Sequence, residues 1–224
     1  MSSTEAARDA PAQGRGVAAG ERPELLALCG GAGLFGGLAF VAAEAVARAR
    51  MPAHDALADT ISALGRGPGG WIMDSGFYCQ AAGLVALAIG TAHAHLGRWG
   101  WSFGVLALAL LGLLTVLIGI WDFFHRGEVP VEDYSVHLWL SYALLPFYLL
   151  GPVAMAPGAA RVRPLWRPVF FASAAGALVL GPAFVLAPDG WDGLVERLLA
   201  LAGLVWTLGL AGILMGRAAA LGRG

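Results

Sequence analysis

The stretch Trp101–Trp121, WSFGVLALALLGLLTVLIGIW, contains no charged residue. At 1.5 Å rise per residue, a helix of this length extends about 30 Å, which is the thickness of the hydrocarbon core of a bilayer. Five more stretches of roughly 20 residues each are similarly apolar: Leu25–Ala47, Trp71–His95, Val136–Met155, Pro168–Ala187 and Leu194–Met215. The sequence therefore predicts an all-α protein, a polytopic membrane bundle of six transmembrane helices.

Composition supports a lipid environment for most of the chain. Of the 224 residues, 58% are hydrophobic and 13% are charged, against about 25% charged in ordinary soluble domains. The net charge of −1 supplies no basic face for phosphates, so we expect the lipid bilayer and no nucleic acid as partner. We predict a disordered cytoplasmic tail (1–23), a six-helix transmembrane domain (24–217) and a short cytoplasmic tail (218–224).

The basic residues, all of them arginines, predict the orientation in the cell membrane. Nine of the 14 basic residues lie on the side of the two termini, and the other five lie across the membrane: Arg48, Arg50, Arg66, Arg126 and Arg197. Because cytoplasmic segments carry the excess of arginine, we expect both termini to be cytoplasmic. The acids are skewed the other way, toward the predicted outer face.

Polar residues after the first span form a candidate site. Asp59 lies one helical turn after Asp55, and Ser62 adds a hydroxyl nearby. Asp74 follows within the second span, where an ionisable group is costly enough to suggest a function. Two interpretations stay open: Asp59 and Asp74 are catalytic acids or bases, or Asp59 and Ser62 cap a short interfacial helix and Asp74 is hydrated at the headgroups.

The loop after the third span is the richest in titratable groups. Asp122 and His125 are three residues apart, and Asp133 and His137 are four apart, so each pair can share a helical face. Asp122, His125 and His137 could hold a divalent metal such as zinc that activates water, with Asp122 and His137 also serving as acid–base groups. The alternative is a structural network in which the aspartates orient the histidines or pair with arginines, namely Arg66 and Arg126.

The loop before the sixth span contains Asp192, Glu196 and Arg197. Asp192 is predicted to cap the sixth helix, and Glu196 complements its N-terminal dipole. Glu196 and Arg197 are adjacent, so they face different directions and any buried partners must come from other helices.

Small residues and prolines suggest how the helices associate. Gly33–Gly37 and Gly212–Gly216 each contain a GxxxG pair, which favours close helix packing inside the bundle or a homo-oligomer through these faces. Pro146 and Pro182 lie inside the fourth and fifth spans and are predicted to kink them.

Several motifs together resemble a known family. They are the segment Asp59–Gly65 (DTISALG), Gly76-Phe77, the loop with Pro130 that leads to His137, and Glu196-Arg197. On these residues the chain resembles the domain-of-unknown-function 998 family of bacterial and archaeal integral membrane proteins over about residues 25–217. The chain has Val129–Glu132 where that family often shows a Phe-Pro-x-Asp-like stretch. The resemblance implies a fold and a membrane location, and it carries no established activity.

Three functions fit the pattern. The first is a metal-assisted hydrolase or transferase that acts on lipid at the outer face. The second is a protein that binds or transports a cation or small solute, although only Thr115, Ser141 and Ser173 lie near mid-span and no inverted repeat is evident. The third is a non-enzymatic accessory membrane subunit.

Overall fold

A computed structural model of the chain describes residues 20–126, 135–188 and 190–223. Seven helices occupy these residues: α1 (Pro23–Ala49), α2 (Ile61–Arg66), α3 (Gly70–Ala94), α4 (Trp99–Phe124), α5 (Ser135–Val162), α6 (Trp166–Val185) and α7 (Asp192–Leu221). The predicted roles of residues 1–19, of Pro130 and Asp133, and of the Val129–Glu132 stretch fall outside the described residues.

Six of the helices are long and apolar enough to cross a membrane. They coincide with the six predicted spans and extend a few residues beyond most of the predicted boundaries. The chain is therefore a multi-pass membrane protein, as predicted. The additional helix, α2, is only six residues long and lies between the first two spans.

The six long helices form a closed ring. Going round it, α1 packs against α3, α3 against α4, α4 against α5, α5 against α6 and α6 against α7, and α7 returns to α1. The short helix α2 contacts four of them, α1, α3, α4 and α7, and so covers one end of the ring. We call this end of the bundle the α2 end.

Apolar side chains fill the ring at the opposite end. Trp101, Phe170 and Trp206 are at most 2% exposed there and belong to one large core cluster. A smaller cluster at the α2 end includes Ile61 and Leu64 of α2. Between the two clusters the interior of the bundle is lined by polar as well as apolar groups.

Glycines let α1 approach its neighbours closely. A Cβ atom on Gly36 would lie 2.5 Å from the Cys79 carbonyl oxygen of α3, and one on Gly33 would lie 2.5 Å from Leu87. A Cβ on Gly37 would lie 2.9 Å from Leu208 of α7. The first GxxxG pair is therefore used inside the bundle. An oligomer contact through Gly212–Gly216 stays a prediction.

Candidate functional site

The helix α2 is held inside the α2 end of the bundle by its own buried face. Ile61, Ser62, Leu64 and Gly65 are all buried. No side chain of the flanking loop caps the helix, so the predicted capping by Asp59 or Ser62 is wrong. The cap comes from a distant part of the chain.

Glu196 of α7 provides that cap. Its Oε2 accepts a hydrogen bond of 2.5 Å from the backbone N–H of Ile61, the first residue of α2. A carboxylate at this position satisfies one of the free N–H groups of the helix and complements its dipole. Asp192, which was predicted to cap α7, is instead the first residue of that helix and makes no cap.

Arg197, the next residue, fixes the loop between α1 and α2 to α7. Its Nε donates to Glu44 Oε1 at 3.0 Å. Its Nη1 donates to three backbone carbonyl oxygens, each at 2.9 Å: those of Ala56, Asp59 and Gly193. Its Nη2 lies 3.0 Å from the Nε2 of His54. The fork of the guanidinium matches this set of acceptors in a way that a single ammonium could not. Glu196 and Arg197 thus have separate partners, most of them on other segments of the chain, and Gly193 is the acceptor from α7 itself.

We call this set of contacts to Arg197 the clamp. Its imidazole is that of His54, whose side chain is 1% exposed. Because arginine only donates, His54 Nε2 must accept from Arg197, and its Nδ1, 3.7 Å from Asp59, is left to carry the proton. Burial lowers the pKa of His54 below its ordinary value, in opposition to the attraction of Asp59, and the charge of Arg197 lowers it further. The clamp therefore requires a neutral imidazole.

Asp122 and His137 meet at the α2 end, from the last turn of α4 and the first turn of α5. Asp122 is 0% exposed, and its Oδ1 lies 3.2 Å from His137 Nδ1. The contact is not aligned as a hydrogen bond, and among the described residues no other group donates to either Asp122 oxygen. Hydrogen bonds between catalytic groups are often poorly aligned before substrate binds.

A second carboxylate, Asp74, lies close to this pair. Asp74 is 3% exposed and pairs with Arg126. Its free oxygen Oδ1 and the Asp122 Oδ2 would each lie 3.4 Å from a Cβ placed on Gly65. The two carboxylates therefore flank Gly65, and the Arg126 guanidinium pairs with Asp74.

His137 also lines a cavity at the centre of the ring, which we call the central cavity. Its volume is about 110 Å³, against roughly 10–15 Å³ needed for one water. Its polar lining residues are Ser62, Gln80, Thr115, His137, Ser141, Tyr148 and Glu196. Phenylalanines and leucines form most of the remaining wall. The cavity is thus amphiphilic.

The central cavity is long and closed at depth. His137 and Tyr148 both line it, and they are eleven residues apart on α5, which corresponds to about 16 Å along the helix axis. Leu144 and Tyr148 also pack against the large core cluster, so apolar residues close the deep end. A pocket of this shape can hold a ligand.

An apolar groove of about 390 Å³ runs between α5 and α6 beside the central cavity. Pro146 and Pro182 both line this groove, and the two helices continue through them. Leu145 lines the groove as well as the central cavity, and its side chain is 3.4 Å from the position of a Cβ on Gly181. One side chain is therefore shared by the groove and the cavity.

The structure brings together some of the predicted site residues and separates others. Ser62, His137 and Glu196 line the central cavity, with Asp122 directly behind His137. Asp59 is partly exposed and accepts the backbone N–H of Asp55 at 2.8 Å.

His125 lies apart from this group. Its ring stacks on Trp121 and its Nδ1 lies 2.8 Å from the Trp121 carbonyl oxygen. Within the described residues no three His, Cys, Asp or Glu side chains converge as metal ligands. The metal set of Asp122, His125 and His137 stays a prediction.

Sequence reasoning missed two polar residues deep in the cavity, Gln80 and Tyr148. Gln80 lines the cavity from α3 and Tyr148 lines it from α5. The available signal was a glutamine in the middle of an apolar span, because amides inside a membrane bundle need partners on other helices.

Comparison with known proteins gives one result. The model of a family described as "Protein of unknown function (DUF998)" matches residues 34–213. This range begins within α1, ends within α7 and includes every residue of the central cavity. No curated protein and no solved structure matches the chain.

Proposed function

This chain belongs to the DUF998 family of proteins of unknown function, and from its site we propose that it is an integral membrane enzyme acting on lipid. The substrate occupies the central cavity. His137 is the general acid–base group, and Asp122 is a positioning residue that holds the imidazole. The reaction class is hydrolysis or group transfer.

One observation carries the proposal: a fully buried aspartate lies 3.2 Å from the Nδ1 of a histidine that lines an amphiphilic cavity. Charged groups within membrane spans are costly, and those that persist commonly serve function. Asp122 favours the tautomer of His137 that carries its proton on Nδ1. Nε2 is then the nitrogen available to take a proton from, or return it to, a bound substrate.

The shape and lining of the cavity support a lipid as substrate. Polar groups of Ser62, His137 and Glu196 gather at the α2 end, and the rest of the wall is mostly apolar, with Gln80, Thr115, Ser141 and Tyr148 as its polar members. A molecule with a polar headgroup and an apolar chain fits this lining. The adjoining groove between α5 and α6 brings bilayer chains next to Leu145 of the cavity wall.

A metal-assisted form of the same reaction uses Asp122, His125 and His137 as ligands of zinc. For this, the His125 ring must leave Trp121, on which it now stacks. Elemental mass spectrometry of the purified protein tests this form, because a bound metal ion that His125→Gln and His137→Gln both remove would support it.

The test of the proposed function is lipid turnover by the full chain in nanodiscs made from a bacterial polar lipid extract. Products are identified by liquid chromatography and mass spectrometry. General acid–base catalysis contributes about 10²–10⁴-fold, so we expect His137→Gln to lower the rate at least about 10²-fold. For the metal-free form of the reaction, His125→Gln is the matched control, because it replaces the same residue type at the same end of the bundle outside the cavity; an equal loss of rate in both variants would support the metal-assisted form instead. We expect the rate of His125→Gln to stay within about twofold of wild type.

Two outcomes would contradict this proposal. Wild-type rates in His137→Gln would show that the imidazole takes no part in proton transfer. If no lipid in the extract changes with the wild-type protein, the enzyme hypothesis is abandoned in favour of ligand binding.

Cation binding is the second candidate, and a specific observation favours it. Asp74 Oδ1 and both Asp122 oxygens are buried and accept no hydrogen bond from the described residues. Carboxylate oxygens in this state suit a hard divalent cation. Thermal unfolding with added Mg²⁺, Ca²⁺ or Zn²⁺ tests it: binding predicts a concentration-dependent rise in Tm that Asp122→Asn abolishes.

We further propose that the α2 end faces outward in the cell membrane, with both termini in the cytoplasm. The support is the excess of arginine on the side of the termini. A fluorescent protein that matures only in the cytoplasm should therefore fluoresce when fused after residue 223. A periplasmic phosphatase should be active when inserted between α6 and α7, and the reverse pattern would contradict the orientation.

A further inference from the structure

We propose that Ser62 is the nucleophile of this site and that the substrate class is a lipid acyl ester. The proposal rests on the proposed function, because it uses His137 as the base. It goes further by naming a covalent acyl–Ser62 intermediate and therefore the bond that is cleaved.

The position of Ser62 is consistent with a serine, histidine and aspartate in series. Ser62 and Gly65 are three residues apart in α2 and share one face, with Cβ positions about 5–6 Å apart. A Cβ on Gly65 would be 3.4 Å from Asp122 Oδ2. Ser62 is therefore within about 9 Å of the Asp122 carboxylate. One imidazole with a hydrogen bond at each nitrogen covers such a distance, and His137 is the imidazole in contact with Asp122.

The Ser62 hydroxyl does not cap α2. The first N–H of that helix, at Ile61, is bonded to Glu196. The Ser62 Oγ is hydrogen-bonded to the Thr60 Oγ1 at 3.2 Å, so its one partner is another hydroxyl. Ser62 is 5% exposed and lines the central cavity with His137. Burial without a capping bond is what a nucleophile facing an enclosed substrate would show.

The reaction follows from this order of groups. Ser62 Oγ attacks the ester carbonyl carbon while His137 Nε2 takes the hydroxyl proton. The new Oγ–C bond forms, the ester C–O bond breaks, and His137 gives the proton to the departing alkoxide. Water then attacks the acyl–Ser62 ester, His137 accepts its proton, and the fatty acid leaves as Ser62 recovers the proton. No oxidant or further reactant is needed.

Ser62 can be tested without knowing the natural substrate. An alkyl fluorophosphonate reacts with an activated serine, forming an Oγ–P bond with loss of fluoride. We expect the probe to label the detergent-purified full chain, with the modified peptide containing Ser62. Ser62→Ala should remove the label, and His137→Gln should lower the labelling rate at least about 10²-fold.

Matched controls separate chemistry from folding. Ser75→Ala removes a serine whose Oγ donates to the Trp71 carbonyl outside the cavity, and it should label at the wild-type rate. Asp122→Asn should lower the limiting rate of labelling and leave the half-saturating probe concentration unchanged, as expected for a positioning residue. Thermal unfolding of each variant should stay close to wild type.

The outcomes distinguish this proposal from the proposed function. A label that maps to Thr60 or Ser141, a wild-type rate in Ser62→Ala, or no label on the wild-type protein would each overturn the assignment of Ser62. If lipid turnover nevertheless depends on His137, the proposed function stands without a serine nucleophile. If turnover is independent of His137 and Ser62 is still labelled, the proposed role of His137 fails and Ser62 remains the reactive group.

Discussion

Replacing Arg197 should destabilise the protein more than replacing any single surface arginine. Arg197→Ala removes an ion pair with Glu44, in which both side chains are 15% exposed, and leaves three carbonyl oxygens and His54 without their donor. Breaking a buried pair from one side costs about 3–5 kcal/mol, because the remaining charge is uncompensated. We expect a loss of about 3 kcal/mol, at the lower end, since these groups keep some access to water.

The assay is the free energy of unfolding in bicelles. Arg197→Lys keeps the charge but offers one nitrogen in place of three, so we expect it to lose about 2 kcal/mol. Arg217→Ala is the matched control, because Arg217 lies on the same helix at the opposite end and pairs with Glu21 while 30% exposed. Its loss should be at most about 1 kcal/mol. Equal losses in Arg197→Ala and Arg217→Ala would refute the role of the clamp.

Three further predictions concern single residues. Burial lowers the pKa of His54 below 6.5. The His54 imidazole therefore binds a proton more readily in the unfolded chain than in the folded chain. The free energy of unfolding should therefore fall as pH drops below about 6.5, by at most about 1.4 kcal/mol per pH unit, and His54→Gln should flatten this dependence in a pH series of unfolding curves. Gly36→Ala should lower Tm, because its Cβ would lie 2.5 Å from a backbone oxygen of α3, whereas Gly31→Ala, with nothing within 4 Å, should raise or preserve it. Asp122→Asn should abolish lipid turnover yet unfold at or above the wild-type temperature, since it removes a buried charge; a lower Tm would indicate a structural role.

The membrane spans could be predicted from the sequence because each is a local property of about 20 residues. The stretch Trp101–Trp121 can be identified as a membrane span without knowing its neighbours, because 21 residues without a charge already indicate a helix surrounded by lipid. The same locality explains why Glu196 and Arg197 have different partners. Two adjacent residues on a helix always point in different directions.

The partners themselves could not be predicted from local spacing. Glu196 caps a helix 135 residues earlier in the chain, and Arg197 reaches Glu44 across 153 residues. Spacing rules paired Asp122 with His125, three residues later, and His137 with Asp133. The Trp121 ring and carbonyl hold His125, and the packing of α4 on α5 brings His137 to Asp122. These long-range contacts depend on how the helices pack around the ring, which local sequence spacing does not contain.

The closed ring also has a consequence for biogenesis. A membrane protein enters the bilayer in order of synthesis, and α7 is made after the other five spans of the ring. Until it arrives, the ring is open between α6 and α1, α2 lacks the carboxylate at its first N–H, and the loop before α2 lacks its guanidinium. A nascent chain that ends at residue 185 therefore carries Asp122 and His137 without the wall that encloses them. The site is therefore complete only when α7 has joined the bundle, so a chain that stops before α7 lacks both the Glu196 contact to α2 and the Arg197 contacts to the loop before it.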